Sequence, residues 1–238
     1  MQVLKITLEG ITTSFRYPLF MLGTQPTFEM PPPATIYGHI CSALGDWVDP
    51  TGIAFAYHFT YDRKLNDLEH VHVLAPASGK LKGTDLPKVL EGNVNPFQRE
   101  ILFQPRLTLY INKPDWITAF RSPHYAVVLG RSQDLCAYTD VRVIDVQSQP
   151  VAYFEHTLIP FEHPLKPPQG VVLQMPRLLD YERQRRPTFA RYVMLKQRVM
   201  SDDTRMLAFG NIPETYWVDP ESPEIGGRQR GLIFHSFV

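Results

Sequence analysis

Residues 28–48 read FEMPPPATIYGHICSALGDWV, in which three consecutive prolines stand directly before a run with helical spacing. Proline has no N–H and a preset φ, so it suits the first turn of a helix and holds the residue before it in an extended form. Apolar side chains then recur at i, i+4, i+8 and i+11, which predicts a helix over 34–48 that packs on a sheet. These side chains are Ile36, Ile40, Leu44 and Trp47.

Gly38 lies in the second turn of this predicted helix, where glycine costs roughly 1 kcal/mol relative to alanine. One interpretation is that a phosphate approaches the backbone there, since the N-terminus of a helix attracts anions. The other interpretation is that the glycine lets the helix and the sheet pack closely. The sequence leaves both open.

The segments around this helix alternate between apolar and polar residues, as half-buried strands do. A second helix is predicted over 114–122, which opens with Pro and Asp. From residue 1 to 130 the order is therefore β, α, β, a long insertion, β, α, β, which is the ferredoxin-like or RNA-recognition arrangement. The predicted strands are 3–10, 53–62, 68–75, 106–112, 124–130, 137–146 and 151–159.

We therefore predict an α+β protein with two parts. Residues 1–147 form a ferredoxin-like, RNA-recognition-type domain, and residues 148–238 form a smaller β-rich region that ends in a closing strand at 231–238. The insertion at 63–100 is rich in Gly, Pro and Lys and too long for a tight turn. It is either a projecting hairpin, with Lys80, Lys82 and Lys88 as phosphate contacts, or a mobile surface loop with solvated lysines.

The composition is that of an ordinary globular protein, with 238 residues, 44% of them hydrophobic and 20% charged. Lys plus Arg and Asp plus Glu each number 24, so any basic surface must be local. No apolar run reaches the roughly 20 residues of a membrane span and the N-terminus alternates like a strand, so we expect a cytoplasmic protein without membrane contact. Cys41 and Cys136 lack partners at ligand spacing, so no metal site, cofactor or disulfide framework is predicted.

Three motifs together carry a resemblance to a known family. They are TSFRYP at 13–18, the Pro-Pro-x-x-x-x-x-Gly segment that leads into SALGDW, and LGRSQD at 129–134. In this order, on a ferredoxin-like succession of elements with a long insertion, residues 1 to about 150 resemble the fifth family of CRISPR-associated proteins. Within that family the first half is most similar to the subtype I-B branch.

The resemblance implies a subunit of type I Cascade, the RNA-guided DNA surveillance complex, that binds and caps the 5′ handle of the CRISPR RNA. The insertion would be the thumb of the family, which packs against the adjacent backbone subunit and the guide. The subunit would also help to anchor the large subunit, and it would reach target DNA only through the complex.

Several residues match family positions close to the RNA: Arg16, Gly38, His39, Gly130, Arg131 and Ser132. The resemblance implies that the last three lie in the loop after the fourth strand, where backbone N–H groups, a guanidinium and a hydroxyl hold one phosphate. The residues by themselves also fit other roles: a capping or surface arginine at 16, a packed histidine at 39, and a tight turn at 130–132.

A second basic cluster, residues 177–199, lies beyond the clear resemblance. Seven cations are interleaved there with Tyr181, Phe189 and Tyr192, a pattern that fits single-stranded RNA through phosphate pairing and base stacking. The alternative is a solvated charged face. As RNA contacts from this cluster we select Arg183, Arg185 and Arg186.

The sequence does not indicate an enzyme. The subtype I-C branch of the family cleaves precursor CRISPR RNA with a tyrosine and an adjacent Lys-His pair, and this chain has no Lys-His dipeptide. We therefore predict a non-catalytic RNA-binding subunit. Two alternatives stay open: a metal-independent endoribonuclease built on Tyr37, His39 or His124, and an assembly scaffold that contacts proteins only.

Overall fold

The computed structural model describes residues 1–18, 23–203, 207–208 and 213–238. These residues are mostly β-sheet, with one long helix, α1 (Pro33–Leu44), and one short helix, α2 (Ile117–Arg121), which follows a 3-10 turn at Pro114–Trp116. This agrees with the predicted α+β class. Within the described ranges, no helix is long and apolar enough to cross a membrane.

Most strands are short, and four antiparallel pairs dominate: β7 with β8, β15 with β16, β1 with β9, and β1 with β10, numbered in chain order. The strands are β1 (Gln2–Gly10), β2 (Thr12–Thr13), β3 (Phe15–Arg16), β4 (Thr24–Gln25), β5 (Thr27–Phe28), β6 (Ala54–Thr60), β7 (Arg63–Pro76), β8 (Leu90–Phe103), β9 (Arg106–Ile111), β10 (Cys136–Asp145), β11 (Gln147–Gln149), β12 (Tyr153–Phe154), β13 (Thr157–Pro160), β14 (Leu165–Lys166), β15 (Val171–Asp180), β16 (Arg186–Leu195), β17 (Val199–Met200), β18 (Leu207–Ala208), β19 (Tyr216–Asp219), β20 (Arg230–Gly231) and β21 (His235–Ser236).

The main sheet has the order β10–β1–β9–β6–β21, and every pair in it is antiparallel. Its first four strands and the two helices follow the chain order β1, α1, β6, β9, α2, β10. The predicted succession is therefore found, but its last strand was wrongly placed. Residues 124–130 carry only an isolated bridge from Val128 to Leu135, and the strand that pairs with β1 is β10.

Helix α1 competes with the sheet for the backbone of this segment. The N–H groups of His124 and Tyr125 donate to the carbonyls of Ala43 and Ser42, at 3.1 and 3.4 Å, in the last turn of α1. A backbone donor that is bonded to a helix end is not available to a strand ladder. The alternation of apolar residues in this segment did not reveal that competition.

One face of the main sheet packs on α1 in a single large core. Leu4, Leu107 and Phe55 of the sheet and Ile36 and Ile40 of the helix belong to it and are fully buried. The predicted apolar face of the helix is thus confirmed in its first half.

The helix ends earlier than the spacing predicted. Gly45 adopts φ 85°, and its N–H bonds the Cys41 carbonyl, so the chain leaves the helix through a left-handed cap after Leu44. Trp47 therefore lies outside the helix and is 39% exposed.

The insertion is a long two-stranded hairpin. Strands β7 and β8 have 14 residues each and pair continuously from Arg63 and Phe103 to Pro76 and Leu90. The interpretation as a projecting hairpin is confirmed, and the hairpin extends to residue 103 rather than 100. Only its base is buried, at Ile101 and Leu102, where β8 also pairs with β2 and β4.

The second half of the chain is β-rich, as predicted, and it is joined to the first half by shared core residues. Leu158, Met175 and Tyr192 belong to the same buried cluster as the main sheet. The predicted strand 151–159 is interrupted at His156, which has φ 50° and separates β12 from β13.

The predicted closing strand is shorter than expected, and β21 pairs with β6 to complete the main sheet. On the other face of that sheet, Lys5 pairs with Asp219 at 2.7 Å, and the Tyr110 hydroxyl donates to the same carboxylate at 2.7 Å. These contacts tie the two halves together, and the boundary between 147 and 148 stays a prediction.

Candidate nucleic-acid interface

A cleft of about 240 Å³ opens at the N-terminal half of α1, between β3, the loop around residue 130 and the turn that joins β15 to β16. Among the residues that the structure describes, two arginines and no carboxylate line it. Such a lining favours an anionic group. The structure brings together five of the predicted RNA-binding residues here: Arg16, Gly38, His39, Gly130 and Arg185.

The proline run contributes to the shape of this cleft but leaves few backbone N–H donors in it. Pro33 has no N–H, and the N–H groups of Thr35 and Ile36 both bond the Pro32 carbonyl, at 2.8 and 3.2 Å. The N–H groups of the first turn are therefore largely satisfied within the helix start. An anion in this cleft therefore depends on side chains more than it does at an ordinary helix N-terminus.

Gly38 faces open space. A Cβ at this position would have no atom within 4 Å, so the interpretation as a packing glycine is wrong. The absence of a side chain leaves room for a ligand against the helix. Thr35 and Ser42, three residues before and four after, also line the cleft and present hydroxyls.

His39 lines the cleft, but both of its ring nitrogens are occupied. Nδ1 lies 3.0 Å from the Val128 carbonyl and Nε2 lies 2.9 Å from the Tyr138 hydroxyl. Burial lowers the pKa of His39, so the neutral ring donates from Nδ1 and accepts at Nε2. The histidine positions the loop around Val128, which agrees with the packed interpretation, and offers no free ring nitrogen to a phosphate.

Gly130 is required by close packing. Its φ is 100°, and a Cβ would lie 2.7 Å from the Ser14 carbonyl oxygen and 2.7 Å from Thr13 Oγ1. The loop that contains it precedes β10, so the expected position after the fourth strand of the sheet was wrong.

Arg131 does not present its guanidinium to the cleft. Its Nε and Nη2 donate to Asp134, at 2.9 and 2.7 Å, and Nη1 pairs with Glu69 of the hairpin. The hydrogen bonds to Asp134 raise the pKa of Arg131. Two carboxylates therefore neutralise the charge of Arg131, the residue that was predicted to bind a phosphate. Ser132 is exposed and does not line the cleft.

The lysines of the hairpin lie far from the cleft. Lys80 pairs with Asp85 at 2.7 Å, Lys88 pairs with Glu91 at 2.9 Å, and Lys82 is exposed. Strands of this length place the tip of the hairpin about 45 Å from its base. These lysines therefore lie too far away to line the same cleft as Arg16 and Arg185.

The basic turn between β15 and β16 sends one of its three selected arginines into the cleft. Gln184 and Arg185 adopt φ 53° and 59°, which turns the Arg185 side chain into the lining. Arg185 has no carboxylate partner within the ranges that the structure describes. Arg183 pairs with Asp180 at 3.6 Å, and Arg186 lies opposite Asp180 in the ladder.

Thr35 and Ser42 were missed by the sequence analysis. Their spacing from Gly38 on a helix was the available signal, since residues three and four apart share a face. Of the alternative catalytic residues, Tyr37 donates its hydroxyl to the Val48 carbonyl at 2.6 Å, and both ring nitrogens of His39 are hydrogen-bonded as described above. Among the described residues, no three potential ligand side chains converge on a metal position.

No protein-family model matches the chain, and no curated protein matches it significantly. Among solved structures, it is similar to a chain of a CRISPR RNA-guided surveillance complex, with 16% identity and a TM-score of 0.52 over 84% of this chain and 91% of that one. It is also similar to a CRISPR protein from Archaeoglobus fulgidus, with 10% identity and a TM-score of 0.53 over 99% of this chain and 100% of that one. The chain shares its fold with both.

Proposed function

We propose that this protein is a non-catalytic subunit of a type I CRISPR surveillance complex and that it holds the 5′ handle of the CRISPR RNA. The observation that carries the proposal is the cleft beside α1, where Arg16, Arg185 and two hydroxyls surround a helix surface left open by Gly38. One phosphate of a single strand fits such a lining through charge-assisted hydrogen bonds.

The fold supports the same assignment. The antiparallel order β10–β1–β9–β6 of strands four, one, three and two, with α1 and α2 in the crossovers, is what we assign to the ferredoxin-like class. The likeness to a chain of an RNA-guided surveillance complex makes a role in such a complex the preferred interpretation. Membership of the fifth family, and of its subtype I-B branch, is part of this proposal.

The partners follow from the same proposal. The β7–β8 hairpin is the thumb, which contacts the adjacent backbone subunit, and the subunit also anchors the large subunit. Target DNA is met through the assembled complex.

The test is the affinity of the purified chain for single-stranded handle RNA across a salt series. Each phosphate contact on a single strand contributes about 0.7 to the slope of log affinity against log salt. Arg185→Ala should lower that slope by about 0.7 and weaken binding by roughly 1 to 3 kcal/mol.

Arg183→Ala is the matched control, because it lies in the same turn, pairs with Asp180 and does not line the cleft. It should leave the slope unchanged. Equal slopes for wild type, Arg183→Ala and Arg185→Ala would refute the assignment of the phosphate to this cleft.

A further inference from the structure

A second cleft, of about 330 Å³, adjoins the arginine-lined cleft along α1, and the two share Gly38 and Ser42. We call it the aromatic slot. Its floor is made of small residues, and its walls are two exposed aromatic rings beside one carboxylate. The residues that define it are Gly38, Ser42, Gly45, Asp46, Trp47 and Tyr125.

Both aromatic walls are held in place although they are exposed. Tyr125 is 58% exposed, yet its backbone is bonded to α1 and its ring meets the His124 ring edge-on at a centroid distance of 4.5 Å. Trp47 is stacked on Tyr181, with ring centroids 4.8 Å apart and an angle of 6° between the planes. Exposed rings that are fixed in this way lose little conformational entropy when a flat ligand stacks on them.

The two clefts differ in charge. In the described part of the chain, the arginine-lined cleft has two cations and no carboxylate in its lining, whereas Asp46 is the one charged residue that lines the aromatic slot. A phosphate is therefore favoured in the first cleft and repelled from the second. A neutral, flat group with N–H donors suits the slot, because the Asp46 carboxylate can accept hydrogen bonds from those donors. One of its oxygens already accepts the backbone N–H of Trp47 at 2.7 Å.

We propose that the aromatic slot takes one unpaired nucleobase of the same RNA strand whose phosphate lies between Arg16 and Arg185. This inference rests on the proposed function and names a second part of that site. Gly38 and Ser42, which border both clefts, are about 6 Å apart along the helix, so a phosphate and a neighbouring base reach the two clefts together.

The carboxylate gives the slot a preference among bases. Adenine, cytosine and guanine carry an exocyclic amino group that donates to Asp46, whereas uracil presents carbonyl oxygens in its place. The slot therefore prefers an amino-bearing base to uracil. It also rejects duplex RNA, whose bases are stacked on one another and paired.

The test compares three probes of equal length: single-stranded oligocytidylate, single-stranded oligouridylate and an abasic ribose-phosphate oligomer. Tyr125→Ala should weaken oligocytidylate binding roughly 5- to 150-fold, the range for loss of one base–aromatic stack, and leave abasic binding unchanged. Tyr125→Phe, which keeps the ring, should retain wild-type affinity. Asp46→Asn should reduce the preference for cytidylate over uridylate about fivefold or more.

Arg185→Ala is measured in parallel, because loss of a phosphate contact should weaken the binding of all three probes. If Arg185→Ala has that effect and Tyr125→Ala changes no affinity, the slot inference is wrong and the proposed function stands. If the wild type binds none of the probes, both fail. If Tyr125→Ala leaves RNA binding intact but abolishes assembly with the other subunits of the complex, the slot is a protein contact and the inference is overturned.

Discussion

Arg131 shows how the partner of a single side chain decides its role. The guanidinium is 14% exposed and lies between Asp134, which is fully buried, and Glu69 of the hairpin. A guanidinium that is bidentate to one carboxylate and paired with a second is an anchor for the two segments that carry them. Arg185, by contrast, enters the cleft without a carboxylate partner in the described part of the chain.

We predict that Arg131→Ala lowers the melting temperature and destabilises the fold by about 2 to 4 kcal/mol, because it leaves the buried Asp134 carboxylate without the cation that it pairs with. The slope of RNA affinity against salt should stay that of the wild type. Thermal melts and the salt series described for Arg185 measure the two effects. A slope lowered by about 0.7 with an unchanged melting temperature would show that the guanidinium contacts a phosphate after all.

At the scale of elements, the β7–β8 hairpin is built in two unlike parts. Its base is held by the buried Leu102 and by the ion pair of Arg99 with Glu69 at 2.7 Å. Beyond the base it carries large apolar side chains in the open, among them Leu74 at 61% exposure and Val89 at 71%. Large exposed apolar side chains on a projecting hairpin are typical of a surface that contacts another protein.

We predict that the outer hairpin can be removed without loss of the fold. Glu69 and Phe97 are opposite each other in the ladder, so replacing residues 70–96 by Asn-Gly closes the strands with a two-residue turn. The shortened chain should keep its melting temperature and its affinity for handle RNA, and it should lose assembly with the backbone subunit. Co-purification of the complex measures the loss.

A matched control replaces Leu74 and Val89 by serine in the full-length hairpin. It keeps the length and weakens the apolar contact, so assembly should also decline. Undiminished assembly of the shortened chain, or a fall in its RNA affinity, would contradict the two-part description of the hairpin.

At the scale of the whole molecule, the junction between the two halves contains buried neutral histidine. His235 of β21 stacks on Phe55 of β6, with ring centroids 5.1 Å apart, and its Nε2 lies 2.9 Å from the Leu158 carbonyl. Burial lowers the pKa of His235 to about 4 and outweighs the hydrogen bond to Leu158, which raises it. Burial also lowers the pKa of His58, to about 3, and that of His39.

We predict that the fold is lost on mild acidification. The unfolded chain binds a proton at His235 near pH 6.5 and the folded chain only near pH 4, so between these values the unfolded state holds more protons and stability falls as the pH falls. The contribution of this one residue is roughly 3 kcal/mol over that window, and below about pH 4 it adds no further loss.

The measurement is urea unfolding as a function of pH for wild type and for His235→Phe, which keeps an aromatic ring in the stack. The variant should lose stability at pH 7, because the Leu158 carbonyl is left unpaired, and its stability should decline less steeply toward acid. Parallel pH profiles for the two proteins would rule out His235 as a contributor.

The local chemistry of the chain was enough to predict most of its elements. Proline at the start of α1 has its φ preset, and the alternation in β1, β6 and β9 has the period of a pleated strand. Both signals depend only on residues that are close to one another in sequence. The α+β succession was therefore predictable, whereas the projecting hairpin was one of two interpretations that the sequence left open. The strand predicted at 124–130 failed where its first two N–H groups donate to carbonyls of α1, a competition that periodicity does not record.

Only the tertiary structure decided which cations line the cleft. Arg131 and Arg185 are equivalent in sequence, each an arginine in a turn with polar neighbours. Glu69, which stands 62 positions from Arg131, is brought beside it by the hairpin. The left-handed backbone at Arg185 instead directs that side chain toward α1, from a turn 147 residues after Gly38 in the numbering of the chain. The charge of an arginine follows from its residue type. Whether its guanidinium is paired with a carboxylate depends on residues that are distant in sequence, because ion pairing depends on proximity in space.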